Sequence, residues 1–281
     1  MSDIKRCMMK TKKNILLLLA VLGLMAFGDP HKRVGSVEGL GNYHQRVTDF
    51  SPFAPGEKLD FKLHYGFINA GVASLEVNEA DQSVDGKEVL QFLGNGKSGG
   101  TFDWFFKVRD EYQSFVDAET TNPLVFKRRV NEGGYHISRD YTFLQEEKLI
   151  EDGRNKDKVA VPENIQDILS AFYYARTLDF DKIKVGQVIE LYSYMDYEVW
   201  PLKVRFKGTE KVKVDAGEFD CLRFVPVVQE GRVFSDEEDL NVYITNDKNR
   251  IPVLVKADVL VGSIKMELTN WKGLAHPLAK V

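Results

Sequence analysis

The residues best able to hold a metal or move a proton near neutral pH are five histidines, at positions 31, 44, 64, 136 and 276. No two are spaced as a metal pair on one helix or strand, and H-E-x-x-H is absent, so no metal-ligand set is read here. His64 falls on the polar side of an alternating run and reads as a surface side chain. There is no G-x-S-x-G elbow. Ser170 follows Asp167 by about one helical turn, but no histidine is near them in sequence, and partners distant in the chain stay open. The acidic run "SDEEDLN" (Ser235–Asn241) lacks the spaced acids and the glycine of a calcium loop and reads as a solvated hairpin. "GNGKSGG" (Gly94–Gly100) departs from the phosphate-binding G-x-x-x-x-G-K-[ST] and reads as a glycine-rich turn. No catalytic residue, metal or cofactor is assigned.

Aromatic side chains are the more informative excess. "TFDWFF" carries Phe102, Trp104, Phe105 and Phe106; "LYSYMDYEVW" carries Tyr192, Tyr194, Tyr197 and Trp200; Tyr173 and Tyr174 precede Arg176 in "FYYAR". Either they are core, or some line an apolar pocket with tyrosine hydroxyls at its mouth. The candidate ligand-binding residues are Trp104, Phe105, Tyr173, Tyr174, Arg176, Tyr194 and Trp200. Arg176 stands at a helix C-terminus, where its charge also suits the helix dipole.

Strands must position most of these groups. In "KLDFKLHY", Leu59, Phe61, Leu63 and Tyr65 share one face and the charged residues the other, the pattern of a half-buried strand. The alternation returns in "AGVASLEVNEA", "VWPLKVRF", "DLNVYIT" and "SIKMELTNW", with turn signals "NEGG", "DAGE" and "NDKN" between runs. Gly66 and Gly71 flank "FINA", where a tight turn or bulge is expected. About 11–12 strands with short connections predict a meandering antiparallel sheet. "PENIQDILSAFYYAR" (Pro162–Arg176) is the one clear amphipathic helix, with Asn164 as its expected N-cap and Ile165, Ile168, Leu169 and Phe172 on one face. A second short helix or turn is expected over "GGTFDWFF". The predicted fold is mainly β: a large curved antiparallel sheet, or half-open barrel, wrapped around one amphipathic helix.

The N-terminus has a different character. Five basic residues up to Lys13 precede the apolar run Ile15–Phe27, and Ala26 and Gly28 follow the pattern of a cleavage site. Residues 1–28 therefore read as a secretory signal peptide, with retention as an anchor the other possibility. Cys7 precedes the apolar run, so a lipid-attachment cysteine is not expected and the destination is the periplasm. Residues 29–55 read as a loosely ordered lead-in and 56–281 as a single β-rich domain. Beyond residue 28 the chain holds 33 basic and 41 acidic residues, net −8, which disfavours nucleic acid as a partner. Only Cys221 remains there, too few for an intrachain disulfide, and it reads as a packed small apolar group.

The order of segments carries a resemblance. "FAPGEKLDFKLHYGFINAGVASLEV" opens it, followed by "FKVRDEYQSFVDAETTNPLVFKRRVNEGGY", "VPENIQDILSAFYYAR", "VDAGEFDCLRFVPV" and "DLNVYITNDKNRIPVLVKADVLVGSIKMEL". Across Phe53–Leu268 this resembles the exported bacterial envelope proteins called domain of unknown function 3108 (DUF3108), and more distantly looks like the LolA/LolB lipoprotein carriers. The resemblance implies an envelope protein and a curved sheet around an apolar cavity. The chain departs from those carriers in its length, its single cover helix and its lack of a lipobox. The expected function is non-enzymatic binding or carriage of an apolar or lipid-like ligand. The alternatives are an envelope interaction module with a filled core, or an enzyme acting on envelope lipid or glycan.

Overall fold

The computed structural model describes residues 49–281 apart from 82, 85, 228–238 and 259–261, and the side chains of Thr101 and Phe105 are also outside the description. The signal segment, most of the lead-in and most of the acidic run from Ser235 lie outside the described residues.

The alternating runs become strands: β1 (Lys58–Tyr65), β2 (Ile68–Glu79), β3 (Val89–Ser98), β4 (Arg109–Asp117), β5 (Pro123–Glu132), β6 (Tyr135–Leu144), β7 (Leu149–Asp152) and β8 (Lys158–Ala160). After a break follow β9 (Val188–Met195), β10 (Glu198–Val214), β11 (Gly217–Pro226), β12 (Leu240–Thr245), β13 (Pro252–Asp258) and β14 (Ser263–Lys272). Two helices are described, α1 (Gly100–Phe105) and α2 (Ile168–Thr177). The count exceeds the expected 11–12 strands partly because β7 and β8, four and three residues long, are too short to display a period of two.

All fourteen strands form one sheet in the order β8-β7-β6-β5-β4-β3-β2-β1-β14-β13-β12-β11-β10-β9. Every ladder joins strands consecutive in sequence except β1–β14, which runs antiparallel from Lys58↔Lys272 to Tyr65↔Ile264. The edge strands β8 and β9 do not pair, so the sheet is not closed into a barrel. The chain entering α2 crosses the gap instead. Gln166 N–H donates to Tyr192 O at 2.9 Å and Gln166 O accepts from Tyr194 N–H at 2.8 Å, while Val161 N–H donates to Lys148 O.

That pairing explains why α2 begins later than its sequence suggests. Asn164 adopts φ +56, and Gln166 is held against β9, so the N-cap falls to Asp167. Its carboxylate accepts from Leu169 N–H at 2.8 Å and Ser170 N–H at 2.9 Å, and Ser170 Oγ accepts from Asp167 N–H. This is a capping box with serine in the usual Glu position. The helix then lies in the concavity of the sheet. Leu169 rests over Gly94, and Tyr173 stacks on Phe92 with centroids 3.9 Å apart. Leu59, Phe61, Leu63, Val77 and Leu268 complete this side of the core.

Gly66 and Phe67 form a two-residue hairpin turn, with Gly66 at φ +57. The β1–β2 register then shifts between Leu63 and His64. Gly71 lies opposite Leu63, and a Cβ on it would come within 2.2 Å of Lys97 O, so close strand packing excludes any side chain there.

Candidate functional site

α2 has two different long faces. Leu169, Tyr173 and Arg176 turn toward β3 and the N-terminal strands. Ile168, Ala171, Phe172 and Ala175, spaced as neighbours along a helix, turn toward β9–β12. Between this second face and Ile189, Leu202, Phe224 and Ile244 runs an apolar crevice of about 100 Å³, with Leu178 and Phe180 also in its wall. The space exists because positions 171 and 175 are alanines. Ile189, Phe224 and Ile244 are buried, whereas Phe172, Ala175, Leu191, Val204 and Val242 are half-buried, so the crevice opens to water along carbon-lined walls. Such a surface can hold an aliphatic chain or ring and offers little to a polar ligand.

Arg176 forms the neighbouring wall, and its charged end is fully engaged elsewhere. At 1% exposure, its guanidinium makes a bidentate pair with Glu57 at 2.7 and 2.8 Å. It also donates to Asn249 O at 3.0 Å and Pro52 O at 3.1 Å. The ring centroids of Phe53 and Tyr173 lie 5.3 and 5.1 Å from its guanidinium carbon. Arg250 then donates to the carbonyls of Arg176 and Leu178, satisfying the C-terminal end of α2. Arg176 thus joins three segments: Pro52–Glu57, α2 and the β12–β13 connection.

The other residues singled out by type and position scatter. Tyr174 packs against the crevice cluster of Phe206, Leu222 and Phe224. Tyr173 is fully buried on the opposite face of α2. Tyr194 is buried near the seam, edge-on to Tyr141 with centroids 5.1 Å apart. Trp200 is half-buried and donates from its indole N–H to Met195 O at 3.3 Å. Trp104 is 84% exposed on α1. Phe105 ends α1, and its side chain lies outside the described residues. Of the candidates whose side chains are described, Arg176 alone lines the crevice, and Tyr174 packs on the cluster behind it. The alanine pair and Leu178 are not among the sequence candidates; the available signal is small residues four apart on an amphipathic helix.

Tyr173 also carries a buried hydroxyl without a hydrogen-bond partner, and burial pushes that phenol up. Tyr173→Phe keeps the stacked ring and removes the unmet polar group, so it should raise stability by about 1 kcal/mol in chemical denaturation.

A second buried group is polar. Asp110 and Glu132 lie on the inward faces of β4 and β5 beside Tyr112 and Arg128. Asp110 accepts from Asn131 N–H at 2.9 Å, and Arg128 pairs with Asp196 at 3.0 Å. Burial, and then the charge of Asp110, push Glu132 up to about 8, and burial also raises Asp110. Cys221 is buried, and burial pushes its thiol up to about 12, which makes it inert as a nucleophile. The outer face of β1–β5 forms a polar groove of about 760 Å³ containing Lys58, Glu76, Lys97, Arg109, Glu111 and Arg129. Its charges largely answer one another, as in the Lys58–Glu76 pair at 2.8 Å.

No curated protein matches the sequence. Among solved structures, a β-barrel-like protein of domain of unknown function DUF1849 from Brucella abortus aligns over 81% of this chain and 99% of its own. It does so at 10% identity with a TM-score of 0.51, a shared fold. A Bacteroides fragilis structure with a YmcC-like fold (13% identity; 79% and 98% covered) superposes only at TM-score 0.29. One from Parabacteroides distasonis (12% identity; 81% and 100% covered) reaches 0.30. The sequence profile of DUF3108, a family of proteins of unknown function, matches residues 60–269, from β1 through β14 and including α2. The chain belongs to the DUF3108 family.

Proposed function

We propose that the protein is a non-enzymatic binding or carrier protein of the bacterial envelope, which holds the apolar end of a lipid-like molecule in the crevice beside α2. The observation that carries this reading is the carbon-lined opening between the sheet and its cover helix, kept vacant by Ala171 and Ala175. Its volume, about 100 Å³, supports binding of one part of a ligand only. An apolar cavity of about 150 Å³ accepts a benzene-sized group. The crevice therefore takes the tip of a chain, while the remainder lies along the half-buried walls at Phe172, Leu191 and Val204. Export to the periplasm without a lipid anchor is part of the same proposal. It is supported by the basic-then-apolar segment before residue 28 and by the position of Cys7 ahead of it. No helix among the described residues is long and apolar enough to cross a membrane.

Native mass spectrometry of protein purified from the periplasm, followed by denaturing extraction and lipid analysis, tests the reading. A stoichiometric apolar molecule is expected, and Ala175→Phe, which fills the crevice, should lower its occupancy by about tenfold or more. The half-buried position lets the larger ring enter with little loss of stability. A clean apo mass for the natural protein would overturn the proposal. It would favour an interaction module, a reading that the small size of the crevice also supports.

A further inference from the structure

Sequential hairpins collect one set of turns at a single end of the sheet. The β1–β2 turn, the β3–α1–β4 connection and the β5–β6 turn all leave there, side by side in the sheet order. They are joined to one another: Gly99 N–H donates to Ala70 O at 3.1 Å, and Gly133 N–H donates to Lys107 O at 2.8 Å. Each carries a large side chain turned to solvent. Phe67, at the tip of its two-residue turn, is 107% exposed, Trp104 is 84% and Tyr135 is 60%, with Ile68 beside Phe67 at 53%. Directly behind these tips stand the exposed cations Lys97, Lys107 and Arg109, with His136 next to Tyr135. Of the acids nearby, Asp103 is held by Arg109 in a bidentate pair at 2.7 and 3.0 Å, while Glu76 and Glu111 lie further back in the groove.

We propose that this rim is a membrane-docking face, with Phe67, Trp104 and Tyr135 entering the interfacial layer of a phospholipid surface while Lys97 and Lys107 meet its phosphates. Aromatic rings are favoured at that depth, where one edge is apolar and the other wet. Charge complementarity selects the occupant, since cations one step behind apolar tips match phosphates lying above acyl chains. The form of the surface agrees. The rings stand on separate turns, which suits a fluid that closes around each of them, whereas a protein partner is met by a continuous, well-packed patch. The chain beyond residue 28 has net charge −8, so attraction of the whole molecule does not drive docking. The local cations and rings do, and they fix which end faces the bilayer. This inference does not depend on what occupies the crevice.

Co-sedimentation with phosphatidylcholine vesicles, with and without phosphatidylglycerol, is the test. The natural protein should bind both, and more strongly when phosphatidylglycerol is present at low salt. The triple variant Phe67→Ser, Trp104→Ser, Tyr135→Ser should bind at least about tenfold more weakly with an unchanged thermal midpoint. Phe67→Ser alone, at the most exposed position, should lose about threefold and serves if the triple variant does not fold. Lys97→Gln with Lys107→Gln should abolish the gain from phosphatidylglycerol. Ala175→Phe should bind as the natural protein does, which separates the rim from the crevice. Binding to neither vesicle, or equal binding by a folded rim variant, would overturn the proposal.

Discussion

Arg176→Met should lower the free energy of unfolding by about 3–5 kcal/mol, the range found when one partner of a buried ion pair is removed. The guanidinium and the Glu57 carboxylate are both sealed from water, and each satisfies the other. Methionine restores apolar bulk but leaves Glu57 facing an interior that cannot solvate its charge. The carboxylate must then take up a proton or draw water in. The same substitution releases Pro52 O and Asn249 O, so the Pro52–Glu57 segment loses these bonds to α2 and the β12–β13 connection keeps only those of Arg250. The double variant Arg176→Met, Glu57→Gln should recover a large part of the loss, because the stranded charge is gone. Urea denaturation of both single variants and the double variant gives the coupling energy directly. A loss below about 1 kcal/mol for Arg176→Met would mean that the pair behaves like a surface contact.

Stability should fall as pH rises from about 4 to 8, and the buried carboxyls of Asp167 and of the Asp110–Glu132 pair set the slope. Burial pushes Asp167 up to about 6, against the hydrogen bonds from Ser114, Ser170 and Leu169 that favour its charge. In the unfolded chain it ionises near 3.8. Between these values the folded state keeps a proton that the unfolded state releases, so raising the pH favours unfolding. A shift of about two units corresponds to roughly 3 kcal/mol, present below pH 4 and lost once the folded group ionises. Glu132, raised further, extends the same trend toward pH 8. Asp167→Asn retains an oxygen for the two helix N–H groups and can donate to Ser114 Oγ. It should match the natural protein at pH 4 and exceed it by up to about 3 kcal/mol at pH 8. Denaturation midpoints measured across that range check the sign, and a natural protein that grows steadily more stable up to pH 8 would contradict it.

The strands are readable because one face of the sheet is wet and the other dry, which writes a period of two into runs such as Lys58–Tyr65. The bulge opposite Leu63 is readable too, since glycine is required where Gly71 approaches Lys97 O. What hides the start of α2 is tertiary: Asn164 is a sound N-cap by type, but it sits in a left-handed turn, and pairing of Gln166 with β9 holds the chain out of the helix until Asp167. The crevice is hidden for a different reason. Aromatic residues stand out as pocket candidates, yet space is made by what is small, and the spacing of Ala171 and Ala175 on α2 gains meaning only once the facing strands are known. Asp110 is closer to legible. It shares the inward parity of Tyr112, Ser114 and Val116, so alternation alone places an acid on a dry face. Trp104 shows the limit of composition, since a large ring can mark the outermost point of a turn as readily as a core.

The edges β8 and β9, which do not pair with each other, have a kinetic counterpart at β1 and β14. Thirteen ladders hold the sheet together, and twelve of them form between neighbours in the chain, each closing a comparatively short connection. The remaining one brings together segments near opposite ends of the described chain. Loop closure over that separation is slow to be rewarded. The two meanders, β1–β8 and β9–β14, can therefore assemble as separate folding units, and zipping of β1 onto β14 becomes the late, rate-limiting step. A chain recut between β8 and α2, with its old ends linked near β1 and β14, would turn that distant pairing into one more local hairpin and fold faster to the same sheet.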